Sequence, residues 1–157
     1  MEGVVRTRVG YCGGTQPNPT YDNLGDHTET LEVDFDPARL SYRQLLESYS
    51  HLPNVQRKAW KRQYRNAVFY RDDKQKALAQ EILSKSEAKA DIEAFRDFTR
   101  AEDYHQKYHL QQSDLFAQYG GVFPDFRHFT DSTAVARVNG YMGGRARPED
   151  VKANLPK

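Results

Sequence analysis

Residues 27–36, HTETLEVDFD, carry the clearest periodic signal in the chain: Leu31, Val33 and Phe35 alternate with Glu32 and Asp34. A period of two sends alternate side chains to opposite faces of a pleated backbone, so the stretch predicts a half-buried strand. Residues 4–9, VVRTRV, also read as extended. Between them, GYCGGTQPNPTYDNLGD at 10–26 concentrates Gly, Pro and Asn so densely that an ordered loop is the expectation. Long ordered loops beside strands often carry function.

Working outward, Ser41 predicts the cap of a helix carrying Leu45, Leu46 and Tyr49, ended by Pro53. Residues 63–70, QYRNAVFY, predict a strand from their aromatic and β-branched content. Asp72 and Asp73 then start a helix to Lys89 bearing Ala77, Ala79, Ile82 and Leu83, and a strand follows over 91–98. Three helical stretches come next, 102–110, 112–118 and 131–140, the last capped by Ser132 and closed by Gly140, and Pro148 opens a final turn. Neither a repeat nor a domain-separating linker interrupts residues 1–157. One domain is expected, of the α+β class, with helices packed on the sheet.

Composition bounds the chemistry. The 157 residues suffice for one hydrophobic core. Only 38% are apolar, but ten Tyr, eight Phe and one Trp supply large rings for packing. Lys and Arg total 23 against 22 Asp and Glu, so net charge calls for neither nucleic acid nor a membrane surface. The mean hydropathy of −0.90 argues against a spanning helix. The single cysteine, Cys12, rules out an intramolecular disulfide, a CxxC redox pair and a cysteine-built zinc site. With no basic start leading into an apolar stretch at residues 1–25, a soluble protein of the reducing cytoplasm is expected.

Four constellations invite chemistry, each with an ordinary alternative. The glycines of Gly10-Tyr11-Cys12-Gly13-Gly14 expose backbone N–H groups, but no Lys-Ser/Thr follows as a phosphate cradle requires. The loop's Pro17 and Pro19 fix the backbone around Asn18 and would hold the Tyr21 hydroxyl in a defined position. His27-Thr28-Glu29 has the His-x-Glu spacing of zinc deaminases without their cysteine ligands, leaving Glu29 as either a proton donor in a poorly solvated pocket or a solvated surface carboxylate. His105 and His109 would share one helix face and could hold a metal together, yet no third ligand is evident. Finally, QRKAWKRQYR at 56–65 interleaves five basic residues with Trp60 and Tyr64, the composition of a single-strand nucleic-acid groove or of an exposed loop.

Taken together, these blocks resemble the type A peptide methionine sulfoxide reductases. The resemblance is carried by GYCGGTQPNPTY at 10–21, His27-Thr28-Glu29, Val33-Asp34-Phe35-Asp36-Pro37, Gln63-Tyr64-Arg65 and AEDYHQKY at 101–108, in family order over residues 3–108, with 109–157 a divergent helical tail. It implies a mixed β-sheet with helices packed on it, a ferredoxin-like α/β roll. It also implies reduction of methionine-S-sulfoxide, free or in proteins. In that chemistry a thiolate attacks the sulfoxide sulfur while acid and hydroxyl groups protonate and bind the departing oxygen. Glu29 matches the family's proton-donating glutamate, and Tyr21 and Tyr64 match the tyrosines that bind the oxygen. No cofactor or metal is implied, only an external reductant such as thioredoxin or another thiol, acting on a monomer.

The chain also departs from the family. The Gly-Cys-Phe-Trp segment holding the nucleophile would lie ahead of Met1, Cys12 stands at a variable position of the GYxGG block, Ala59 replaces an acidic residue upstream of Tyr64, and a tail with recycling cysteines is missing. The expectation is therefore a roll lacking its first strand and most of its first helix, and a polypeptide inactive without a nucleophilic Cys or Sec. Three origins are open: a fragment or misplaced start, a selenocysteine codon read as stop, or a non-catalytic relative that binds oxidised-methionine peptides. Loss of a first strand would bare a sheet edge and apolar surface, which favours an incomplete sequence. Single-stranded nucleic acid bound through residues 56–65 is the weaker alternative.

Overall fold

The computed structural model describes residues 1–144 together with 149 and 156, so the turn expected at Pro148 lies outside the described residues. β1 (Val4–Cys12) and β2 (Thr28–Phe35) pair antiparallel with Cys12 opposite Thr28 and Val4 opposite Phe35, and the register is irregular between Val4 and Arg6. The alternation in β2 leaves Val33 and Phe35 half-buried. Leu31, expected on the same buried face, is 59% exposed because it borders an open cleft. β1 also runs three residues further than its sequence suggests: Gly10 and Tyr11, expected in the loop, pair with Arg100 and Thr99 of the short β5 (Thr99–Arg100). Glycine is required there. A Cβ on Gly10 would fall 2.4 Å from the Phe98 ring.

α1 (Tyr42–Ser50) begins as expected at Ser41, where a capping box with Gln44 satisfies the first-turn N–H groups. β3 (Ala67–Tyr70) starts later than expected, and the residues before it form a 3-10 turn, Arg62–Tyr64. Asn66 delays the strand by giving its side-chain amide to the carbonyls of Arg57 (2.9 Å) and Asn54 (3.2 Å). α2 (Asp73–Ser84) is capped by Asp72, which accepts from Gln75 N–H at 2.8 Å, and it stops short of Lys89. The chain must turn there so that Lys89 N–H reaches Val55 O (2.8 Å) and β4 (Asp91–Ala94) can lie parallel to β3. Antiparallel and parallel pairing thus coexist, in a three-stranded sheet ordered β2-β1-β5 and a two-stranded sheet β3-β4. The α+β class holds.

The tail departs most from expectation. In place of one helix over 102–110 there is a 3-10 turn, Asp103–His105, then α3 (Tyr108–Gln111), with Lys107 between them in the left-handed region at φ 52°. His105 and His109 therefore do not share a helix face. The break has a purpose: Gln106 and Lys107 turn inward onto β1. The buried Gln106 accepts from Val9 N–H (3.0 Å) and donates to Val9 O (2.8 Å) and Ala101 O (2.9 Å), while Lys107 Nζ donates to Thr7 O and to Thr7 Oγ1 (2.9 Å). The stretch expected at 112–118 is a third 3-10 helix, Asp114–Tyr119, and α4 (Phe126–Asp131), not expected from sequence, is capped by Asp125. α5 (Thr133–Met142) begins at Ser132 as expected but passes through Gly140 and ends at Gly143.

Apolar packing falls into three clusters. Leu46, Ala79 and Ile82 join α1 and α2 to the parallel pair through Val68 and Ile92. An aromatic-rich group around Leu110, Tyr119, Phe129, Val135 and Val138 fills the tail. Tyr11, Leu24 and Ala101 with Val9 form the smallest, beneath the cleft. No helix among the described residues is long and apolar enough to cross a membrane. Because Gln106 serves Val9 N–H and Ala101 O and shares Val9 O with Ala101 N–H, Gln106→Leu is expected to lower unfolding free energy by about 2 kcal/mol, read as a lower urea midpoint at unchanged m-value.

Candidate active site

The loop between β1 and β2 is shaped by its own polar groups. Asp26 accepts from Thr15 N–H (2.7 Å), Gln16 N–H (3.2 Å) and Thr15 Oγ1 (2.9 Å), and these bonds hold its carboxyl well below the usual range. His27 is buried and donates from Nε2 to Gln16 O at 2.9 Å, so it serves the loop. Asn18 sits in the left-handed region at φ 50°, which asparagine tolerates between its two prolines. Arg62 then ties the loop to the 3-10 turn bearing Tyr64, donating to Asp26 O (2.7 Å) and Gly13 O (3.3 Å).

Tyr21 and Tyr64, far apart in sequence, are brought together by that tie. The Tyr21 side chain comes close enough to Tyr64 that it, with desolvation and the nearby Glu29 charge, raises the Tyr64 phenol above its ordinary value. Both rings stay accessible, at 40% and 41% exposure. Glu29 stands near the start of β2, exposed, its Oε1 accepting from Gln63 Nε2 at 2.7 Å. Of the two readings left open for this carboxylate, the exposed position is the one observed. Beside it lies a cleft of about 280 Å³ with Val9, Leu31 and Ala101 as apolar walls and Tyr21, Glu29 and His105 as polar ones.

Two further residues build the site without a clear sequence signal. Glu102 Oε1 accepts from Tyr21 N–H (3.0 Å) and Oε2 from the Tyr11 hydroxyl (2.6 Å). Burial works against its charge, but these bonds prevail and keep the carboxyl below its ordinary value. Desolvation and the same bond raise the buried Tyr11 phenol. His105 packs its ring on Tyr21, centroids 4.6 Å apart, with Tyr104 on it at 4.2 Å. In sequence His105 reads as half of a metal pair and Glu102 only as part of the block AEDYHQKY, which was the available signal for both.

Cys12 faces away from this chemistry. It is buried, its Sγ–H lies 3.0 Å from Asp97 O, and burial pushes the thiol up to about 11. It is a protonated thiol at neutral pH.

The comparisons with known proteins fit this geometry. The family model for "Peptide methionine sulfoxide reductase" matches residues 1–134. The chain belongs to the peptide methionine sulfoxide reductase family. It is 37% identical to the peptide methionine sulfoxide reductase of Drosophila melanogaster over 160 residues, covering 96% of this chain and 64% of that protein. It is 42% identical to that of Nitrobacter winogradskyi over 119 residues, covering 68% of this chain and 66% of the relative. Thus the chain spans about two thirds of the length of these curated relatives. Among solved structures, methionine sulfoxide reductase A of Corynebacterium diphtheriae superposes with a TM-score of 0.60 at 29% identity, covering 72% of this chain and 66% of that one. Reduced Mxr1 from Saccharomyces cerevisiae shares the fold, with a TM-score of 0.59 at 22% identity over 71% and 73% of the two chains.

In this member of the family, native Cys12 is expected to resist iodoacetamide at neutral pH. The raised pKa alone cuts its thiolate fraction by about a hundredfold relative to an ordinary thiol, and full reactivity should return in denaturant, as read by mass spectrometry over time.

Proposed function

We propose that this chain recognises methionine-S-sulfoxide, free or within proteins, at the Tyr21–Tyr64 pair, as the substrate site of a peptide-methionine (S)-S-oxide reductase. The observation that carries this reading is the meeting of the two tyrosine side chains beside Glu29, next to an apolar cleft. A sulfoxide oxygen entering between the tyrosines accepts one hydrogen bond from each hydroxyl. The Glu29 carboxyl relays to that oxygen the proton it needs to leave as water. The apolar walls at Val9, Leu31 and Ala101 suit the thioether side chain.

The reaction balances only with thiols. A sulfur nucleophile bonds to the sulfoxide sulfur, and a second thiol completes the exchange, so that a sulfoxide and two thiols give a thioether, a disulfide and water. Cys12, buried and protonated, is not that nucleophile. The reaction calls for a Cys or Sec other than Cys12, with thioredoxin or another thiol to restore it. A second reading is binding of oxidised-methionine peptides without turnover, favoured by the same inaccessibility of Cys12.

Calorimetry with a methionine sulfoxide peptide and its unoxidised twin tests recognition. Tighter binding of the sulfoxide is expected, falling about tenfold in a Tyr21→Phe/Tyr64→Phe variant, since two hydrogen bonds are lost. Equal affinity for both peptides sinks the proposal. Glu29→Gln should leave sulfoxide binding nearly intact while removing turnover in any form of the protein that carries the nucleophile. With dithiothreitol the 157-residue chain should give no thioether; turnover abolished by Cys12→Ser would make Cys12 the nucleophile after all.

A further inference from the structure

The stretch from Arg57 to Arg62 holds four cations and no acid, and the tertiary structure does not neutralise them. Arg62 spends its guanidinium on the carbonyls of Asp26 and Gly13, Lys61 lies over the Trp60 ring at 4.6 Å, and Arg57 and Lys58 are exposed. Among the described residues, none of the four stands in an ion pair with a carboxylate. Arg57 and Lys58 border a groove of about 520 Å³ lined also by Pro53, Asn54, Trp60 and Tyr64. Trp60 is 77% exposed, an unusual position for the largest side chain unless a ligand covers it.

Tyr64 makes the groove continuous with the candidate site. It lines the groove, and its side chain meets Tyr21, which lines the cleft. A chain seated at the tyrosine pair must therefore continue either over Trp60 or away from it. We infer that the groove takes the acidic flank of a peptide substrate, Asp or Glu residues next to the methionine sulfoxide, with Trp60 covering the peptide backbone and Arg57 and Lys58 meeting the carboxylates. This rests on the sulfoxide reading above and narrows its substrate class to acidic oxidised segments.

A peptide fits better than a nucleic-acid strand. Single strands are held by successive open stacking platforms along a basic track. Here the Trp60 and Tyr64 rings face each other, 5.7 Å apart and tilted 37°, and the charge is local in a chain of net charge +1.

Trp60 is the only tryptophan, so its emission reports occupancy of this groove directly. The full chain is titrated with short methionine sulfoxide peptides flanked on both sides by Asp, by Ser or by Lys, with the unoxidised Ser peptide, and with an oligothymidylate. The Asp peptide should shift Trp60 emission and bind about five- to tenfold more tightly than the Ser peptide at low salt, the advantage shrinking at high salt as expected for exposed pairs. Arg57→Gln/Lys58→Gln, two exposed changes that leave the fold intact, should reduce that advantage to about twofold. A sulfoxide preference with no Asp advantage, or an advantage untouched by the double variant, overturns the inference alone. Equal binding of the oxidised and unoxidised Ser peptides, read by calorimetry, overturns the sulfoxide reading and this inference with it. Oligothymidylate binding tighter than the Asp peptide and abolished by the double variant replaces it with a nucleic-acid site.

Discussion

The second edge of β1 governs this structure. β2 satisfies one side of the strand along its length, but β5 reaches only Gly10 and Tyr11 on the other. Beyond them Val9 O still accepts from Ala101 N–H (3.1 Å), and side chains add to the edge: Gln106 takes the N–H and C=O of Val9, Lys107 the carbonyl of Thr7, and the Thr133 hydroxyl the carbonyl of Val5 at 2.6 Å. A bare β edge invites pairing with other chains, and buried unpaired backbone groups are costly. The tail is folded around this requirement. It explains the left-handed Lys107, which breaks what the sequence writes as a continuous helix, and it explains why burial lowers the Lys107 ammonium to about 8.

A second tie joins the two sheets. Arg65 donates to Thr28 Oγ1 on β2 (2.8 Å) and to Asp91 (3.0 Å) and Glu93 of β4, the Glu93 contact being two-pronged. Its guanidinium also faces the Phe69 ring. Gly13, at φ 75°, lets the loop pass over this cluster, since a Cβ would fall 2.5 Å from the Phe69 ring and 3.0 Å from Arg65 Nη2. The candidate site sits on the seam these contacts close, with Tyr21 on the loop, Glu29 on β2 and Tyr64 immediately before Arg65. Across the other end of the sheet, Arg8 is held by Asp131 (2.7 Å) and Glu32 (2.9 Å), anchoring the aromatic tail.

Much of this was legible beforehand. Alternation named β2, Ser41 and Asp72 named helix starts because a cap acts through its immediate neighbours, and the glycine- and proline-dense loop was recognisable from composition. Tyr21, Glu29 and Tyr64 came from motif resemblance, and their proximity then emerged from the fold. The tail resisted reading because its conformation answers to β1, about a hundred positions away along the chain. Leu31 misled for a similar reason: a period of two fixes which face a residue points to, but not whether anything covers that face.

By itself the sequence determined the family and the α+β class and singled out Tyr21, Glu29 and Tyr64 as candidates, since all of these depend on local pattern and residue chemistry. Tertiary structure alone decided that Cys12 is a buried, protonated thiol, that Glu102 and His105 brace Tyr21, and that Tyr64 belongs both to the tyrosine pair and to the cationic groove. Burial, hydrogen-bond partners and shared walls are properties of surfaces brought together from distant positions, and no local pattern encodes them.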